Sequence, residues 1–243
     1  MGTRLFVSGA LSNDAELILQ GEQASYLGRV LRSCVGDAVT VFNGEGGEWS
    51  ASIENISKNS VTLRVGTHTE PATESRLQLH LVQGVSRGER MDFVVQKATE
   101  LGVSWITPVL THHGMVKLDQ KRAEKRRQHW QHVAESACEQ SGRTRPPLID
   151  APVDLNAWFG AKDSSDSTEL ILRPGTSTAF ASIGKPATRL CLLIGPEGGF
   201  SEREYEDAEI AGLQGVSLGP RILRTETAAL AAITIAQSCW GDL

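Results

Sequence analysis

Long apolar runs are missing from this chain of 243 residues. No stretch approaches the roughly 18 consecutive apolar residues of a spanning helix, so no membrane partner is expected. The opening segment MGTRLFVSGALSND lacks a basic region, an apolar stretch and a cleavage site in series, so no secretory signal is read there. It also fails a myristoylation pattern, because Phe6 stands where serine or threonine is wanted. Cysteine is sparse: Cys34, Cys138, Cys191 and Cys239 form no CxxC and no Cys/His metal spacing. That argues against a disulfide framework or zinc site and for a reduced, cytoplasmic protein. The adjacent His112 and His113 do not make a metal site, since consecutive side chains at a strand end point apart. An excess of positive charge is absent as well. The net charge of −5 argues against a generic nucleic-acid coat.

What is present is an ordinary globular composition, 40% hydrophobic and 22% charged. At about 100–200 residues per domain the length allows one large domain or two unequal ones. Residues 1–66 hold short alternating segments, read as strands at 4–7, 37–43, 49–53 and 60–65. Val61, Leu63 and Val65 keep the period of two expected of a half-buried strand. Gly44, Gly46 and Gly47 punctuate a turn. One helical interval is read where Tyr26, Leu27, Val30 and Leu31 fall on one face. Together these predict a small, mostly β barrel, followed by a linker over 66–76.

Beyond the linker, strands alternate with helices. Strands are predicted at 77–83, 105–110, 169–172, 189–194 and 216–218. Helices are predicted at 91–101, 119–140, 201–210 and 227–239. This alternation implies an α/β domain, a mostly parallel sheet covered by helices on both faces. The final helix is apolar on most sides, which suits either an interface or an internal core. Charge is uneven: the stretch 117–127 reads KLDQKRAEKRR, six basic residues against two acidic. Both a phosphate grip and a solvated helix face fit that pattern.

Ligands of open α/β sheets bind beyond the carboxyl ends of the strands, and three such ends carry unusual sequence. They are Leu172-Arg173-Pro174-Gly175, Gly195-Pro196-Glu197-Gly198-Gly199-Phe200, and the run from Leu218 to Thr227. Glycine lets the backbone approach a ligand closely. Ser201 and Glu204 are spaced as a capping box for the next helix. A helix start favours anions, yet the loop is neither GxGxxG nor GxxxxGK[ST], and Glu197 would repel a phosphate. A cation such as a sulfonium suits that carboxylate better. In the third loop Arg221, Arg224 and Glu226 crowd around Ile222 and Leu223. They either face a pocket or form an internal Arg–Glu pair, with Thr225 as the helix N-cap.

Several stretches carry a resemblance: GERMDFVVQKATELGV (88–103), ACEQSGRTRPP (137–147), LLIGPEGGFSEREYE (192–206) and SLGPRILRTETAALAAI (217–233). With RLFV, YLGRVLR (26–32) and GDAVTVFNGEGGEW (36–49), they closely resemble the ribosomal RNA small subunit methyltransferase E family over nearly the whole chain. The resemblance implies a PUA-like RNA-binding β-barrel at 1–70 and a SPOUT methyltransferase domain, knotted as a trefoil, at 71–243. It implies a cytoplasmic homodimer that takes S-adenosylmethionine as donor and N3 of one uridine in 16S ribosomal RNA, within the small subunit, as acceptor. The knot is implied by the resemblance alone; such topologies are otherwise almost absent from proteins. Carried over by position, Leu172, Arg173 and Pro174 hold the cofactor from the first loop. Ile194, Gly195, Glu197, Gly198 and Gly199 do so from the second, and Leu218, Gly219, Ile222, Leu223 and Arg224 from the third. Two departures stand out. Tyr26 replaces a usual histidine, and His112–His113 replaces a frequent acidic–Arg pair.

Methyl transfer from a sulfonium is an in-line displacement that asks for positioning. Uridine N3 must lose a proton, so a base and a cation facing the ring oxygens help. Arg224 is the candidate cation, Arg221 the second, and either Glu226 or Glu197 the proton acceptor. RNA contacts are assigned to Arg29 and Arg32, to Lys117, Lys121, Arg126 and Arg127, and to Arg87 and Arg90 near the pocket. A NAD-dependent oxidoreductase would need an early GxGxxG, which is missing. A non-catalytic RNA-binding or ribosome-assembly protein stays open beside the enzyme.

Overall fold

The computed structural model describes residues 2–114, 119–162, 166–186 and 188–243. The chain folds as two compact units. One comprises the residues up to Glu74 with Cys138–Pro146, and the other Ser75–Ala137 with Pro147–Leu243. A single cut in the sequence therefore does not separate them: 138–146 comes back to the N-terminal unit.

In that unit β1 (Thr3–Phe6), β2 (Glu16–Gln20), α1 (Gly21–Ser25), β3 (Ala38–Phe42), β4 (Glu48–Ile56) and β5 (Ser60–Thr69) follow one another. The sheet order is β1-β3-β4-β5-β2. Only β1 and β3 run parallel. Val61, Leu63 and Val65 are buried as their alternation requires, and Val61 and Leu63 share a core with Leu5, Val39, Val41 and Ile53. Pairing ends at β1 and β2, so the small β-barrel read from the sequence takes the form of a curled half-barrel. Register shifts between β4 and β5 at Trp49/Ala51 and Ile53/Asn55 supply bends. Strand β5 runs to Thr69, into the stretch read as linker.

The helical face at 26–31 does not form as expected. After Ser25 the chain widens into a single π-helical turn, Tyr26–Val30. Wider spacing takes side chains off a 3.6-residue stripe. Leu27 is buried, while Tyr26, Val30 and Leu31 are 43%, 66% and 41% exposed. The returning segment is clamped by Glu74. Its Oε1 accepts the backbone N–H groups of Thr144 and Arg145 at 2.8 and 3.0 Å, and its Oε2 accepts the Arg143 guanidinium at 2.7 Å.

The second unit contains β6 (Gln78–Gly84), α2 (Arg90–Glu100), β7 (Trp105–Leu110) and most of α3 (Gln120–Ser141). It continues through β8 (Leu148–Ile149), β9 (Val153–Asp154), α4 (Leu155–Ala161), β10 (Ser167–Leu172) and β11 (Arg189–Ile194). Helix α5 (Glu202–Ile210), β12 (Gln214–Val216) and α6 (Thr225–Trp240) complete it. The sheet order is β12-β10-β11-β6-β7-β8, with β9 also on β7. Every registered pair is parallel. On one face Leu79 and Leu81 pack with Met91, Val94, Val95 and Ala98 of α2 and Ala229, Ala232, Ile233 and Ala236 of α6. On the other, Val82, Ile171 and Leu193 meet Trp158, Tyr205 and Ala208. Burial on both faces explains the unbroken apolar run LCLLI in β11.

Registers align Glu169, Cys191, His80 and Trp105 in one row across four strands. His80 stacks on Trp105 with ring centroids 4.0 Å apart, and its Nε2 lies 2.8 Å from Thr107 Oγ1. Thr107 Oγ1 and Trp105 Nε1 both donate to Asp150 Oδ2, at 2.5 and 2.7 Å. Burial, with Arg189 adding repulsion, lowers the His80 pKa to about 3. The unfolded imidazole takes its proton near pH 6.5 and the folded one refuses it down to about 3. Stability is therefore present above pH 6.5 and lost as pH falls between those values, with a slope of at most about 1.4 kcal/mol per pH unit. Urea midpoints measured from pH 7 to 4 should fall less steeply in His80→Phe. An unchanged slope would assign the acid sensitivity to other groups.

Candidate active site

A cavity of about 590 Å³ lies at the carboxyl ends of β10, β11 and β12. The turn after Ile194 is tight, with Gly199 N–H donating to Pro196 O at 2.9 Å. Two glycines let it lie close to its neighbours. A Cβ on Gly84, at the end of β6, would stand 2.5 Å from both Pro196 N and Cδ. One on Gly198 would stand 2.9 Å from the His113 Cβ. The expected capping box then starts α5. Ser201 Oγ accepts the Glu204 N–H at 3.3 Å, and Glu204 Oε2 accepts the Ser201 N–H at 2.7 Å. The other Glu204 oxygen accepts the His112 N–H at 2.7 Å, tying the end of the segment after β7 to α5.

All thirteen residues expected to hold the cofactor line this one cavity, from Leu172, Arg173 and Pro174 through the turn at 194–199 to Leu218, Gly219, Ile222, Leu223 and Arg224. Arg221, Glu226 and Arg90 line it too. Their side chains differ in what they are free to do. Arg173 is spent on α5: it pairs with Glu202 and Glu209 at 2.9 Å each and lies 4.7 Å over the Tyr205 ring. Glu197 Oε1 accepts Arg90 Nη1 at 2.6 Å and the Arg87 N–H at 3.0 Å. Burial pushes the Glu197 carboxyl up, but hydrogen bonds from its own and Arg87's backbone and from Arg90 outweigh it, and the pKa is lowered. Its charge is met by Arg90 rather than left for a cationic ligand.

The third loop keeps its charges unspent. Arg221 and Arg224 are exposed and form no ion pair among the described residues, so the internal Arg–Glu pair does not form there. Glu226 sits in the first turn of α6 with Oε2 buried and without a hydrogen-bond partner. The N-cap of α6 is Arg224, with no side-chain cap bond, and not Thr225. Thr225 is the first helical residue; its hydroxyl donates instead to Gly195 O at 2.6 Å.

The remaining candidates among the described residues lie outside the cavity lining. Arg29 and Arg32 are exposed in the N-terminal unit. Lys121 is exposed on α3, Arg126 lies 5.9 Å over Trp130, and Arg127 is held by Glu124 at 2.7 Å. Lys117 lies outside the described residues. Sequence reasoning missed Tyr205 and Ser217 as lining residues. It also missed Gln83, whose only signal was a polar residue near the end of an apolar strand.

A concave site of this size, with apolar walls and a few convergent polar groups, suits a small molecule or cofactor. Residues 73–237 match the family model described as an RNA methyltransferase domain, and residues 19–66 match an RNA methyltransferase PUA domain. Fold and site thus define an RNA methyltransferase. The ribosomal RNA small subunit methyltransferase E of Buchnera aphidicola (Acyrthosiphon pisum) is 31% identical over 98% of this chain and 94% of its own. The Neisseria gonorrhoeae protein of that name, solved bound to S-adenosyl methionine, is 35% identical with a TM-score of 0.93 and full coverage of both chains. A Legionella pneumophila protein solved with SAM is 38% identical with a TM-score of 0.95, again over both whole chains. The chain belongs to the ribosomal RNA small subunit methyltransferase E family.

Gly84→Ala should destabilise the fold by about 1–3 kcal/mol, because backbone at Pro196 must move to admit the methyl group. Denaturant unfolding of the purified variant reads this directly. A midpoint equal to that of the parent chain would mean the turn has slack.

Proposed function

We propose that this chain methylates N3 of one uridine in 16S ribosomal RNA, within the small subunit, using S-adenosylmethionine. The observation that carries the proposal is the convergence of three strand-end loops on one cavity whose only uncommitted charged side chains, among the described residues, are Arg221, Arg224 and Glu226. Leu172, Ile194, Leu218 and Leu223 offer apolar walls, and the glycine turns offer backbone groups, a set that fits a nucleoside better than a polyphosphate. When bound, S-adenosylmethionine supplies an electrophilic methyl group on a sulfonium.

The chain's own residues then do two things. Arg224, with Arg221 behind it, faces the negative charge that gathers on the uracil oxygens. Glu226, with an unpartnered carboxylate oxygen, accepts the N3 proton directly or through water. Glu197 ranks behind it, because Arg90 and the backbone N–H groups hold it ionised and a weak base.

The trefoil knot belongs to the same proposal. Strand β12 is at the sheet edge beside β10, while α6 packs on the face of β6 and β11, so the chain crosses back between them. On the way Ser217 bonds Thr178 O at 2.9 Å and Thr225 bonds Gly195 O. The division into an RNA-binding unit near 1–70 and a methyltransferase unit near 71–243, and a cytoplasmic setting, go with it. A homodimer is supported by the groove of about 490 Å³ between α2 and α6, walled by Phe93, Leu230 and Ile235 and left open in a single copy. RNA binding through Arg29, Arg32, Lys117, Lys121, Arg126, Arg127 and Arg87 completes it.

Incubating the protein and S-adenosylmethionine with small subunits from cells lacking it, then mapping modified nucleotides by mass spectrometry, should find one new 3-methyluridine. Methylation of a different atom, or none, would overturn the assignment. Arg224→Ala should lower the single-turnover rate by on the order of 10²–10³ with stability little changed; an unaltered rate removes Arg224 from the chemistry. Charge reversal at Lys121 and Arg126 should shallow the salt dependence of RNA affinity by about 0.7–0.9 for each phosphate no longer neutralised. An unmoved slope would put that face of α3 away from RNA.

A further inference from the structure

We infer that Gln83 and Thr225 are positioning residues, forming a buried clasp that sets the first turn of α6 so that Arg224 and Glu226 flank the cavity. The inference rests on the methyl-transfer reading above and adds two residues to it.

The hydrogen-bond directions follow from the donors available. Thr225 Oγ1 has one proton, and its 2.6 Å contact is to the Gly195 carbonyl, which can only accept. The hydroxyl must then accept from Gln83, whose Nε2 lies 2.9 Å away. The same Nε2 also donates to Gly84 O at 3.2 Å. The amide orientation is thereby fixed, and Gln83 Oε1 is left buried with no partner. Gln83 itself has no exposed surface.

That orphaned oxygen is the informative detail. A buried acceptor without a donor works against stability, and an apolar side chain of similar volume carries no such penalty. A fold selected only for stability has no use for glutamine at this place. What glutamine adds is a second anchor on the Thr225 hydroxyl. The clasp joins the end of β6, the turn after β11 and the start of α6, which are far apart in sequence. It also stands in for a missing part: α6 has no side-chain N-cap bond, so its start is fixed from outside the helix. Arg224 and Glu226 are the immediate neighbours of Thr225, and any shift of that residue moves both. A displacement near 1 Å at a reacting site costs on the order of 10²-fold in rate.

The test compares Thr225→Val, Thr225→Ser and Gln83→Met in the full chain, with kcat, KM for S-adenosylmethionine and melting temperature all measured. Thr225→Val and Gln83→Met should each lower kcat about 10–100-fold while KM for S-adenosylmethionine stays within about threefold. Thr225→Ser should restore kcat to within about threefold of the parent. Gln83→Met, which removes the orphaned oxygen, should melt at or above the parent temperature while remaining slow. A kcat for Gln83→Met within about twofold of the parent overturns the clasp, as does a serine variant as slow as the valine one, or a rate loss that appears only with a lowered melting temperature. Absence of transfer by the parent chain would instead sink the methyl-transfer reading itself.

Discussion

The carbonyl of Gly195 is where the second unit is held together. It follows the last residue of the central strand β11, opens the tight turn beneath the cavity, and accepts the hydroxyl with which α6 begins. Strand β12 lies at the sheet edge and α6 packs over β6 and β11, so the chain runs from the edge to the sheet centre before α6 starts. Gly84 lies close against Pro196 and Gly198 against His113, so the turn packs tightly on its neighbours. Glycine at these positions serves packing density as much as ligand access.

The same geometry sorts the charges. Arg90 with Glu197, and Arg173 with Glu202 and Glu209, satisfy one another along the cavity walls. These pairs hold the second loop to the first residue of α2 and the first loop to α5. What they leave over is one carboxylate oxygen and two guanidinium groups on the third loop. Among the described residues, the unpaired charge of the cavity is thereby confined to the segment around Thr225. Burial raises the Tyr205 hydroxyl pKa, and the Arg173 cation over its ring opposes that shift. Tyr205 thus presents a neutral hydroxyl at the cavity wall.

Much of this was legible in the residues. The run LCLLI followed by glycine read correctly as a parallel strand with its loop, and Ser201 with Glu204 read correctly as a cap. The period of two at Val61, Leu63 and Val65 placed a strand, because one face is buried and the other is not. What failed did so where local sequence carries no record of distant partners. The return of 138–146 depends on Glu74 accepting two backbone N–H groups, which no spacing encodes. The helical stripe at 26–31 was true to period, but a π turn diverted it and left Tyr26, Val30 and Leu31 outside. Thr225 had the composition of an N-cap; its hydroxyl instead donates to the Gly195 carbonyl, a partner thirty residues away that local sequence does not record. The two-residue strands β8 and β9 are too short for any period to mark.

The most direct measurement is a crystal structure of this chain with S-adenosylmethionine. The expected result is the donor lying in the cavity between the turn at 195–199 and the loop at 218–224, with α6 emerging through a threaded chain. A donor bound elsewhere, or an unthreaded path for residues 217–225, would contradict the assignment.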